Sequence, residues 1–105
     1  MEKISDWDMD RALRDRRYDI ERSLRYISGI DRVDITRYDA SYGNFSLRLD
    51  VRLYESASRR WAESDIKRKL RDILDDMVSE LGRKYDVSNW SYPRIYVDIN
   101  FEGGQ

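Results

Sequence analysis

The chain has 105 residues, room for one domain with one core; 40% are apolar, 39% are charged, and the formal net charge is -1. That balance removes the simple electrostatic case for a nucleic-acid or anionic-membrane binder. The absence of cysteine and histidine excludes disulfide frameworks, thiolate and ordinary zinc sites, Ser-His-Asp triads and other histidine-based catalysis.

The stretch "SDWDMDRALRDRRYDIERSLRYISGI" predicts a first helix over about residues 5–28. Ser5 or Asp6 serves as N-cap, and Asp6, Asp8 and Asp10 complement the helix dipole. Met9, Leu13, Ile20, Leu24 and Ile27 share one face, and Gly29 supplies the stop. Residues 31–40 alternate Val33 and Ile35 against Arg32, Asp34 and Thr36 and read as a strand. "DASYGN" carries turn chemistry at Gly43 and Asn44, so a hairpin with a loop somewhat longer than two residues is expected.

A second strand over 44–55 alternates almost without error: Phe45, Leu47, Leu49, Val51 and Leu53 against Ser46, Arg48, Asp50, Arg52 and Tyr54. Burying five such side chains contributes roughly 1.5–3 kcal/mol each, so Leu49→Asp is expected to be a severe lesion. The period then returns to that of a helix over 58–82, with Ile66, Leu70, Ile73, Leu74, Met77, Val78 and Leu81 as a broad stripe and Gly82 past its end. A last strand over 94–102 turns Ile95, Val97, Ile99 and Phe101 inward, Pro93 is tolerated at its edge, and the 103–105 tail is expected to fray.

Each strand is apolar on one side only. An α-β-β-α-β chain of this kind must place both helices on one face of a three-stranded sheet, a two-layer α+β sandwich within one domain spanning residues 1–105. A crossover through the second helix is expected to set strand three parallel to strand two and beside strand one, leaving strand one central. The same order occurs, as topology only, in ring-building motifs of secretion and sporulation machines, alkaline shock proteins and KH-like ribosome-binding factor A proteins. Neither a Gly-x-x-Gly loop nor an Ala-x-Gly helix kink is present, and fold alone does not settle function.

No Gly-rich phosphate loop is found. Asp75 and Asp76 diverge by about 100° on a helix and lack further ligands, so no metal and no cofactor is expected. The distinctive surface is on the first helix, where Trp7, Arg11, Arg14, Tyr18, Arg22 and Arg25 recur every three or four residues opposite the core face. Acids border this stripe, with Asp8, Asp15 and Asp19 on one flank and Asp10 and Glu21 on the other. Pairs such as Asp10 with Arg14 and Glu21 with Arg25 account for the charges of an ordinary solvated face, but not for the two rings. Sixteen of the 20 basic residues are Arg, which with Tyr and Trp is enriched at binding hot spots. The bare face of the sheet is expected to be self-explained, with opposite charges among Arg32, Asp34, Arg48, Asp50, Arg52 and Asp98 facing each other across strands.

These features lead to the expectation of a non-enzymatic protein-protein interaction domain. It would be an assembly subunit, adaptor or inhibitor, a class that includes compact phage and viral proteins, with a protein partner or a second copy bound at the stripe. The alternative is an RNA- or ribosome-associated KH-like module that uses the same Arg stripe, against which the near-zero net charge weighs. An enzyme working through carboxylates alone comes third. No apolar run reaches the length of a membrane span or signal-peptide core, so no membrane contact and a cytoplasmic location in the producing or host cell are expected.

Overall fold

The computed structural model describes residues 1–41, 44–88 and 94–102. The expected turn residue Gly43, Pro93, the 103–105 tail and the side chains of Asn44 and Phe45 lie outside the described residues. The elements in chain order are α1 (Asp6–Asp15), α2 (Arg17–Arg25), β1 (Ile30–Ser41), β2 (Asn44–Leu53), α3 (Arg59–Leu81) and β3 (Arg94–Phe101). They form an α+β sandwich in which all the helices pack on one face of a mixed three-stranded sheet. Met9 and Leu13 of α1, Ile20 and Leu24 of α2, and Ile66, Leu70 and Leu74 of α3 are buried against inward residues of the sheet. No polar or charged residue is buried among those described, so the core is purely apolar.

The first helix departs from expectation in being broken at Arg16. In a continuous helix this position lies beside Met9 and Leu13 on the core face, where an arginine cannot be buried alone. Arg16 instead takes φ -86° and ψ -6°, its N–H is shared between the carbonyls of Ala12 and Leu13, and its side chain ion-pairs with Glu80 of α3. The start is as expected, with the Ser5 hydroxyl accepting from the Asp8 N–H. The end comes earlier than residue 28, because Tyr26 and Ile27 donate to Ser23 and Leu24 in tighter i to i-3 turns. Gly29 then reverses the chain at φ +91°.

The strand order is β1-β2-β3, with β1 and β2 antiparallel and β2 and β3 parallel. The expectation that strand one is central is therefore overturned, although the parallel relation of strands two and three holds. The α3 crossover returns the chain beside the strand that fed it, and β2 has the fully apolar inner face suited to the middle: Leu47, Leu49, Val51 and Leu53 are all completely buried. The hairpin loop is also shorter than expected. Pairing continues to Ser41 opposite Asn44, so only residues 42 and 43 separate the strands. Each added pair satisfies backbone groups that a longer loop would leave to water.

Two bulges adjust β1. The register slips between Ile30 and Arg32 and again between Ile35 and Arg37. Strict alternation from Ile35 would turn Arg37 into the core and Tyr38 out. The extra residue at Thr36 restores Arg37 to solvent and brings Tyr38 to the helix side, and the Thr36 hydroxyl donates to the Arg48 carbonyl at 3.3 Å. Ahead of α1, Lys3 and Asp86 form one parallel bridge apart from the sheet: the Ile4 N–H donates to the Asp86 carbonyl at 3.1 Å and the Asp86 N–H donates to the Glu2 carbonyl at 2.8 Å, which holds Ile4 in the core.

Candidate functional site

All six residues of the expected stripe are exposed, with Trp7 at 66% and Tyr18 at 70%. Their anchors are rigid, since Met9, Leu13, Ile20 and Leu24 on the opposite side of the same two helices are fixed in the core. Arg11 lies over the Trp7 ring, 5.5 Å from its centroid, a cation-π contact that leaves both groups at the surface. Arg22 has no acidic partner among the described residues, and Arg25 reaches Glu21 only loosely, at 3.8 Å.

Arg14 leaves this group. Its Nε donates to Asp10 at 2.8 Å, and its guanidinium lies 5.4 Å from the centroid of Tyr38 on β1. The structure thus keeps Trp7, Arg11, Tyr18, Arg22 and Arg25 on the outward side and turns Arg14 toward the sheet edge. Tyr26, exposed to 81%, extends the outward aromatic set and was missed; its position eight residues after Tyr18 was the available signal. Trp61, exposed to 70% on the first turn of α3, was also missed.

The flank that Arg14 joins runs along the outer edge of β1. Arg17 Nε donates to Glu21 Oε1 at 2.8 Å, and the same oxygen accepts the Ile35 N–H at 3.5 Å. Arg14, Arg17, Asp34, Ile35, Thr36, Arg37 and Tyr38 line an open groove of about 660 Å³ along this edge. Tyr38 Oη is buried there and makes no hydrogen bond. Burial pushes the phenol up to about 12, against the opposing pull of the Arg17 cation.

On the bare face of the sheet the expected pairing of opposite charges directly across strands is not found. Arg32 faces Arg52, Asp34 faces Asp50, Arg37 faces Arg48, and Asp50 faces Asp98. Neutralisation runs along and diagonally between strands: Arg32 to Asp34 at 2.9 Å, Arg48 to Asp98 at 3.4 Å and Arg52 to Asp31 at 2.8 Å. The antiparallel register, set by inward apolar residues and shifted by the bulges, decides which outward residues meet.

Among the described residues no group of three or more His, Cys, Asp or Glu side chains is placed to hold a metal ion, and no helix is long and apolar enough to cross a membrane. The chain matches no protein-family model and no curated protein sequence.

Proposed function

We propose that the chain is a non-enzymatic protein-interaction domain, an assembly subunit, adaptor or inhibitor. Its principal partner surface is the outward side of α1 and α2, with Trp7 and Tyr18 as apolar anchors and Arg11, Arg22 and Arg25 as polar contacts. The observation that carries this reading is the exposure of two large rings on one helical side, backed by residues fixed in the core. Pre-organised rings offer contact area at low entropic cost, and arginine forks can bind carboxylates in bidentate fashion. The bordering acids disfavour a polyphosphate partner and favour a protein of mixed charge, which ranks the RNA-associated reading second.

The test is affinity capture from a lysate of the producing or host cell, comparing the native chain with the Trp7→Ala, Tyr18→Ala double variant. The double variant is expected to keep its Tm within a few degrees and to lose the specific partner by about tenfold or more. Equal capture by both chains overturns the assignment of this surface. Nucleic acid co-purifying with the native chain and lost with the variant supports the RNA reading instead.

A further inference from the structure

We propose that the outer edge of β1 is a strand-addition site for an extended peptide segment with acidic residues at alternate positions. The site is separate from the outward rings of α1 and α2. β1 is an edge strand of 12 residues, and in an antiparallel ladder every second residue turns its N–H and C=O away from the neighbouring strand. Such an edge is a template for pairing. The groove beside it straddles the strand, with Arg14, Arg17 and Tyr38 on the helix side and Asp34 and Arg37 on the open side. An added strand would present alternate side chains to those two sides. One set would meet the Tyr38 ring and two guanidiniums that are already ion-paired; the acidic set would meet Arg37 and Asp34 on the open side.

Three features select an acidic occupant. Of the groove's three arginines, Arg14 and Arg17 on the helix side already pair with Asp10 and Glu21, which leaves Arg37 on the open side to receive an acid. Arg37 has no ion-pair partner among the described residues and stands opposite Arg48, so an incoming carboxylate relieves a like-charge contact. Glu21 already acts in miniature as such an occupant: its carboxylate sits 13% exposed at the edge, accepting from both Arg17 and the Ile35 N–H.

The test is fluorescence anisotropy on the intact protein with a labelled peptide, Thr-Glu-Val-Glu-Thr-Glu-Val-Glu-Thr. Saturable binding is expected, weakened about tenfold or more when Lys replaces Glu. Of the two alternate patterns of backbone N-methylation, one should abolish binding and the other be tolerated, since only one set of N–H groups faces β1. Arg37→Glu should weaken binding about tenfold. Trp7→Ala with Tyr18→Ala should leave the affinity within about twofold, because those rings lie outside the groove. The proposal is overturned by absence of saturable binding up to millimolar peptide, by equal affinity for the Lys peptide, by tolerance of both methylation patterns, or by displacement with oligouridylate as effective as with unlabelled peptide. Loss of binding in the Trp7, Tyr18 variant alone also overturns it, while leaving the interaction-domain reading in place.

Discussion

Asp34 of β1 stands directly opposite Asp50 of β2, and Asp50 in turn stands opposite Asp98 of β3, so three carboxylates form one row across the open face of the sheet. Like charges directly opposite each other destabilise a sheet. Arg32 and Arg48 pair with the two outer members, whereas Asp50 in the middle accepts a hydrogen bond from the Asn100 amide at 3.2 Å. Asp50→Asn keeps an acceptor there and removes the central charge. It is expected to stabilise the protein by about 0.2–1 kcal/mol at low ionic strength, with a gain that shrinks in roughly 1 M salt. Thermal melts at the two salt concentrations check this, and a lowered Tm at low salt would contradict it.

The helices cover β1 and β2 more fully than β3, since Val51 on β2 is completely buried and Val97 on β3 only partly. The same deletion at the two positions should therefore cost different amounts. Val51→Ala is expected to lose about 2–3 kcal/mol, from transfer plus cavity terms, and Val97→Ala roughly half as much. Urea denaturation of both variants measures the difference; equal losses would mean that β3 is as deeply covered as the central strand.

Gly29 combines a φ of +91° with close packing, because a Cβ built on it would lie 2.8 Å from the Ala57 Cβ. Its carbonyl also accepts from the Tyr54 N–H at 2.9 Å, which ties the end of the first helical layer to the end of β2. Gly29→Ala should cost about 1–3 kcal/mol. Adding Ala57→Gly removes the steric part and leaves the backbone part, so the pair should be less damaged than the sum of its singles. A strictly additive double-mutant cycle would show that the two residues do not touch.

The Tyr38 phenol, raised by burial to about 12 from an ordinary 10, favours its neutral form in the folded state. A raised folded value means that the associated stability is fully present below pH 10 and is lost as pH rises from 10 toward 12. Tyr38→Phe should flatten that alkaline limb. It should also leave neutral-pH stability unchanged or slightly higher, because the hydroxyl it removes has no hydrogen bond. Melting curves from pH 8 to about 12 for the two chains make the comparison; a large loss at neutral pH would show that the hydroxyl has a partner after all.

The candidate stripe was partly legible for the same reason that helices are. Spacings of three and four place Trp7, Arg11, Tyr18, Arg22 and Arg25 on one side whatever the sheet does. Arg14 shares that spacing, yet it sits at the margin of the face, where Asp10 holds its Nε and the guanidinium lies against Tyr38 at the sheet edge. Tyr38 itself could not be placed by alternation, because the bulge at Thr36 changes which parity faces inward. A reader counting by twos from Ile35 arrives at Arg37, and the cost of burying that charge is what makes the bulge necessary.

Local chemistry alone determined the element types, the cap at the start of the first helix, the inward faces of β2 and α3, and the collection of all the helices on one side of the sheet. These follow from periodicity, capping and the need to hide one apolar face per strand. Tertiary structure alone decided that β2 is central, that Arg16 interrupts the first helix to reach Glu80, and that like charges meet across the bare face. Periodicity reports which side of an element is greasy and carries no information on which element lies next to it. Neighbours and register are chosen by the packing of the whole core, and outward residues such as Asp34 and Asp50 are placed opposite each other as a consequence.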